Sequence, residues 1–436
     1  MNSLVIATEL SLEYDRYLSH TRFFFDSLID RRAKNVIYSL PDVLMSGLAM
    51  FILKHPSVHR FEQQTAQERS NLGSLFGITK LCTDAQMRNI LDKIPPDDLR
   101  PFFLDYYGQL KSRGVLDGYR YYDNSLILAL DGVSHFESTK IHCNNCQCSQ
   151  LKDGLHYAHA LLVGSIVCPE QAEVFPLCLE PIVKQDGVVK NDCERNACGR
   201  LMAELNEKYA TERLIFTGDA LFTNAPHIRR ILNNERRLWH FVLNIKPDSH
   251  KTLFRAFESR RTNKALGFME KRENGEIHRF HWANNLPLCE SAADIRVNVL
   301  WYELTDKKGK TTRFTWCTDY ELSKKNVFKI SKIGRARWKI ENETFNTLKN
   351  QGYHFEHNYG HGYKHLATTL AFLMFMAFAI DQFMQKTATL FIKIWKAAKT
   401  KKRVWEALKA IFMTQYIKSF KHLYIVMAQL FEVQLE

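Results

Sequence analysis

Three carboxylates stand where a folded chain could bring them together. The run Leu126–Leu130 in YDNSLILALDGVSHF ends in Asp131, and Leu214–Thr217 in LIFTGDALFTN leads through Gly218 to Asp219. A third, Glu341, lies in ARWKIENETFNTLKNQ, four residues after Arg337. Ligands of open α/β sheets gather outside strand ends, so two Asp residues that each close an apolar run converge easily. A Glu on a helix facing them completes an all-oxygen donor set of the kind Mg²⁺ accepts. Such a set serves phosphodiester chemistry: one cation acidifies the attacking water or hydroxyl, and a second, about 3.5–4 Å away, stabilises the leaving oxygen. Asp131 would bridge both ions, with Asp219 on one and Glu341 on the other. The same residues also have plainer uses. Asp-Gly is a turn pair, GDA suits a helix N-cap, and Glu341 with Arg337 suits a solvated ion pair four residues apart.

A second constellation follows the first Asp. HCNNCQC places His142, Cys143, Cys146 and Cys148 together, and Cys143 and Cys146 have the two-residue gap of a zinc knuckle. A closed zinc site usually draws a second pair from elsewhere, for which His156 or His159 is available and Cys148 is nearer. The alternative is a loop of thiols, or small core residues. His354, His357 and His361 read as parts of a Gly-rich turn with no catalytic ion.

The formal charge of +13 implies a polyanionic partner, nucleic acid before membrane surface. KKNVFKISKIGRARWK carries seven basic residues toward Glu341, among them Arg335, Arg337 and Lys339. Lys246 and His250 follow another strand end, where they could touch a phosphate or simply shape a turn. Arg229, Arg230, Arg236 and Arg237 crowd one segment and suit either phosphates or a solvated helix face. Trp301 and Trp316 could stack on bases, although alternation makes them core residues of a half-buried sheet.

The elements that must position these groups are legible in outline. Residues 1–118 read as a helical, DNA-end-binding unit, and 119–248 as the first part of an α/β core. Residues 249–328 form a β-rich insertion of alternating aromatic and β-branched residues, 329–365 return to the core with the Glu341 helix, and 366–436 are helical and basic. Apolar content of 45% leaves ample material for a core. The uncharged run Leu366–Ile380 is 15 residues long, short of the roughly 20 needed to cross a bilayer, and is expected as a buried core helix. MNSLVIATELSLEYDRYLSH does not read as a signal peptide, so the ten Cys are expected reduced in a cytoplasmic, DNA-associated protein without a membrane role.

With these residues in view, the chain resembles the DDE transposases of bacterial insertion sequences that carry a β-rich insertion between the second Asp and the Glu. The similarity covers about residues 120–365. LDGVSHFESTKIHCNNC resembles the first-Asp segment, LIFTGDALF the second, and GRARWKIENETFNTLKNQGYHFEHNYGHG the Glu segment, while KNDCERNA resembles a block of one subgroup. The resemblance implies a ribonuclease H-like core using Mg²⁺, or alternatively Mn²⁺. It implies cleavage at the transposon's ends in double-stranded DNA and joining of the freed 3′-hydroxyl to target DNA, in a homodimer or larger synaptic complex. It assigns catalytic roles to Asp131, Asp219, Glu341 and Arg337, and a phosphate contact to Lys349. The family pattern commonly has Tyr three residues before the Arg and Lys seven after the Glu; this chain has Gly334 and Leu348, with Lys349 one place on. A ribonuclease H-fold nuclease without strand transfer and an inert DNA-binding repressor on the same scaffold are the alternatives.

Overall fold

The computed structural model describes residues 2–33, 35–183 and 192–435, with side chains from Tyr14 onward. Eleven strands among these residues form one mixed sheet: β1 (Arg120–Tyr122), β2 (Ser125–Ser138), β3 (Gln147–Leu151), β4 (Gly154–Val167), β5 (Phe175–Ile182), β6 (Leu214–Gly218), β7 (Trp239–Asn244), β8 (Gly267–Glu273), β9 (Glu276–Pro287), β10 (Arg296–Thr305) and β11 (Thr311–Thr318). The order is β3-β4-β2-β6-β7-β11-β10-β9-β8, with β1 beside β2 and β5 beside β4. The protein is thus of the mixed α/β class.

Parallelism explains the sequence of the central strands. β2 pairs parallel with β6 and β6 with β7, while the other pairings are antiparallel. Strands buried on both faces need side chains without alternation, and Leu126–Leu130 and Leu214–Phe216 are accordingly buried throughout. The stretch 249–328 supplies β8–β11, whose partly exposed faces alternate. These strands continue the sheet because β11 pairs with β7, Trp316 opposite Asn244 and Thr318 opposite Val242. Trp316 is fully buried, in line with Phe314 and Tyr302, and Trp301 packs on Phe257 beneath Arg261. Both Trp residues are therefore core or partly buried packing residues. An added Cβ on Gly334 would lie 2.3 Å from the Trp316 ring, so close packing of the 327–336 helix on β11 accounts for glycine there.

The helical ends of the chain interlock. Leu366–Thr387 is one helix, buried along its apolar length against Leu40–Ile52 and β5. Among the described residues it is the one helix long and apolar enough to cross a membrane, and its apolar window lies wholly inside the protein. Asn71, on an N-terminal helix, donates from Nδ2 to the Phe412 and Gln415 carbonyls, both at 2.7 Å, and accepts from the Ile417 amide at 2.8 Å. At the centre Lys54 Nζ meets Asp381 Oδ2 at 2.5 Å, below the Tyr353 ring at 3.7 Å; the Tyr353 hydroxyl also donates to Asp381. A buried ion pair of this kind sets which helices meet more than it adds net stability, but removing one partner strands a charge.

Asp381→Ala should therefore lower unfolding free energy by about 3–5 kcal/mol in urea titrations, whereas Lys54→Met with Asp381→Leu should recover most of that loss. Equal losses in the single and double variants would refute this account of the pair.

Candidate functional site

The site begins with strand register. Ala129 on β2 is paired with Thr217 on the parallel strand β6. Asp131 and Asp219 each lie two residues beyond that pair, Asp131 still within β2 and Asp219 just past the end of β6. β2 continues past Asp131, which is opposite Val163 of β4, whereas β6 stops at Gly218. Asp219 then turns the chain, Oδ1 accepting from the Leu221 amide at 2.8 Å. Asp131 Oδ1 accepts from the Gly132 amide at 3.0 Å.

Glu341 arrives from the helical run that starts at Val327. Its residues 340–345 form a π-helical turn, closed by the Asn346 amide donating to the Glu341 carbonyl five residues back. Such insertions occur frequently at functional sites. Arg337, four residues earlier and 7% exposed, reaches across: Nη1 lies 2.5 Å from Glu341 Oε1 and 3.3 Å from Asp131 Oδ2. The solvated pair expected as the plainer reading is thus a bridge to the first Asp. Burial pushes the Asp131 carboxyl up to about 7; Arg337 opposes that shift and the Glu341 charge reinforces it.

A fourth acid joins them that the sequence reading did not name. Glu194 opens the helix Glu194–Tyr209, and its Oε1 would lie 2.4 Å from a Cβ added to Gly132, so the glycine after Asp131 leaves room for it. Burial raises the Glu194 carboxyl and the Asp219 charge raises it further. The available signal was KNDCERNA, whose Lys190 and Asn191 lie outside the described residues. The oxygens of Asp131, Asp219 and Glu341 do not all approach within 4.8 Å of one another; Arg337 stands between Asp131 and Glu341. The donor set is hard oxygen throughout, as Mg²⁺ requires.

Cationic groups surround the acids unevenly. A groove lined by Arg195, Asp219, Thr223, Lys246 and His250 opens beside the second Asp. His250 is 8% exposed, its Nε2 2.9 Å from the Thr223 carbonyl and Nδ1 3.2 Å from that of Lys246, so its ring nitrogens hold the turn instead of facing a phosphate. Lys339 donates to the Gln171 carbonyl at 2.6 Å, and Lys349 pairs with Glu356 at 2.9 Å; both expected phosphate contacts are engaged within the chain. Leu348 is buried, which explains an apolar residue at that position. Arg335 and Trp338 are exposed beside Arg337, whereas Arg229 pairs with Asp294 and Arg230 packs on Gly199.

The Cys/His cluster assembles differently from expectation. Cys143 and Cys146 meet His159 of β4 and His361, with one ligand atom from each within 4.8 Å of the others. The expected ligands His142 and Cys148 lie outside this group: the His142 ring stacks on Tyr157 at 4.4 Å, and Cys148 sits on β3 opposite Tyr157. His159 from β4 and His361 from a distant loop instead complete the group with Cys143 and Cys146. Hydrogen bonding with Cys146, then with the two imidazoles, pulls the Cys143 thiol far below the usual thiol range.

The sign of the Asp131 shift gives a test. A carboxyl whose folded value is raised from 3.8 to about 7 favours folding while protonated, and that contribution is lost as pH rises through about 7. Without added divalent cations, Asp131→Asn should become progressively more stable than the wild type between pH 4 and 7.5 in denaturant titrations; a pH-independent difference would show that the carboxyl is not so perturbed. No protein-family model matches the chain, and no curated protein matches it.

Proposed function

We propose that the protein is a Mg²⁺-dependent transposase of the DDE type that cleaves the ends of its element and joins the 3′-hydroxyl to target DNA. The supporting observation is the β2–β6 register, in which Asp131 and Asp219 each follow the Ala129–Thr217 pair by two residues, with Glu341 linked to Asp131 through Arg337. The order β5-β4-β2-β6-β7, three antiparallel strands followed by two parallel to β2, supports a ribonuclease H-like core. The β-rich stretch between Asp219 and Glu341 supports the particular transposase type.

In this reading Asp131, Asp219 and Glu341 hold the divalent ions, and Glu194 is a further carboxylate beside Asp219. Bound Mg²⁺ would supply the acidified nucleophile and the stabilised leaving oxygen. Arg337 holds Glu341 toward Asp131 and tempers the repulsion between them. Lys246 and Arg195 in the groove, and the exposed Arg335 on the helix that leads to Arg337, offer charges to the DNA backbone. The net charge of +13 supports a polyanionic substrate, and coordinated handling of two ends calls for a homodimer or larger assembly.

Asp131→Asn, Asp219→Asn and Glu341→Gln should each slow Mg²⁺-dependent nicking of DNA carrying the flanking inverted repeats by about 10³-fold or more, the effect of losing several kcal/mol of charge stabilisation. Binding in gel shifts should stay close to wild type. Joining of a pre-cut 3′-hydroxyl end to plasmid DNA is expected of the transposase; cleavage without joining would indicate a nuclease, and binding without either would indicate a repressor.

A further inference from the structure

We propose that Cys143, Cys146, His159 and His361 bind one Zn²⁺ in a closed tetrahedral site that ties the segment following Glu341 to β4 and to the loop that follows the strand carrying Asp131. The distances carry the assignment. Zn–S bonds of about 2.3 Å and Zn–N bonds of about 2.0–2.1 Å place the corners of a tetrahedron about 3.8 Å apart for S···S, about 3.6 Å for S···N and about 3.3 Å for N···N. Here the two Sγ atoms are 3.9 Å apart. His159 Nε2 lies 3.4 Å from Cys143 Sγ and 3.3 Å from Cys146 Sγ. His361 Nε2 lies 3.2 Å from both Cys146 Sγ and His159 Nε2. A disulfide would need sulfurs about 2.05 Å apart, so the pair is spaced for a shared ion and not for a bond.

The surroundings are those of a built site. Cys146, His159 and His361 are 1%, 3% and 8% exposed. His361 Nδ1 lies 2.7 Å from the Gly362 carbonyl, which sets Nδ1 as the protonated nitrogen and leaves Nε2 as the lone-pair donor. The Cys143 amide donates to Cys146 Sγ at 3.4 Å within a tight turn closed by the Cys146 amide on the Cys143 carbonyl. Four electron-pair donors thus converge on one enclosed point, and a single soft-to-borderline cation satisfies all of them. With four protein ligands no position remains for water or substrate, so the role is structural.

Its consequence lies in the connectivity. Cys143 and Cys146 belong to the loop between β2 and β3, His159 to β4, and His361 to the connection leading from the Glu341 segment into the helix Leu366–Thr387. Phe136 of β2 packs on the His361 ring at 4.5 Å, and Asn145 Nδ2 donates to the Lys364 carbonyl at 3.0 Å across the same junction. The ion would hold the chain downstream of Glu341 against β4, the neighbour of the strand that presents Asp131, and against the loop leading out of that strand. This site does not depend on the reaction assigned to the carboxylates.

The test is metal analysis of the full chain, purified without a metal-affinity tag. One zinc per chain is expected by mass spectrometry. His361→Ala and Cys146→Ala should reduce it to background, while His142→Ala and Cys148→Ser should retain it. Because ligand variants can misfold, the wild type should also be exchanged with Co²⁺; tetrahedral ligand-field bands with thiolate charge transfer, and X-ray absorption fitting two sulfurs and two nitrogens, are expected. Absence of zinc and of the cobalt spectrum in folded wild type would overturn the proposal. So would zinc that survives His361→Ala but is lost with Cys148→Ser, since that places the ion in the local loop alone.

Discussion

Everything at the candidate centre depends on the parallel pairing of β2 with β6. One shared row, Ala129 beside Thr217, sets each acid two residues further along its own chain. A slip of one residue would turn one of them to the opposite face, because side chains alternate along a strand. Both strands are buried on both faces along their apolar stretch, so the close packing of particular side chains, and not an alternation of polarity, holds the register. Packing thus positions chemistry: the residues that make the core hydrophobic are those that align the carboxylates.

The rest of the molecule braces that row from two directions. On one edge, β11 joins β7 and carries the insertion into the same sheet, while Trp316 presses on Gly334 and so seats the helix leading to Arg337 and Glu341. On the helical side, segments from both chain ends pack around Leu366–Thr387. The Lys54–Asp381 pair and the Asn71 hydrogen bonds make their docking specific. The Glu341 segment is thereby anchored at its start by the insertion and at its finish by this helical layer.

Such a centre carries an electrostatic cost. Burial is the main cause of the upward shifts of the Asp131 and Glu194 carboxyls, and the charges of Glu341 and Asp219 add to them. Arg337 offsets part of the repulsion by contacting Asp131 and Glu341 at once. Unfavourable charge concentrated in one place while the surrounding core is well packed is a pattern common at functional sites, where the wider fold sustains the local penalty.

The amino-acid sequence alone determined the α/β class, the apolar runs ending at Asp131 and Asp219, the burial of the 366–380 run and the alternation of the insertion, because each is written in local periodicity. It also placed Arg337 and Glu341 four apart. Only the tertiary structure decided which side chains meet. Glu194 reaches the acids because a helix start falls against Gly132; His361 enters the cysteine cluster from more than 200 residues away, displacing His142 and Cys148. Lys339, Lys349 and His250 are drawn into contacts within the chain. Contacts between distant segments depend on strand register and helix docking, which arise from the summed packing of many residues and leave no mark in the spacing of any one motif.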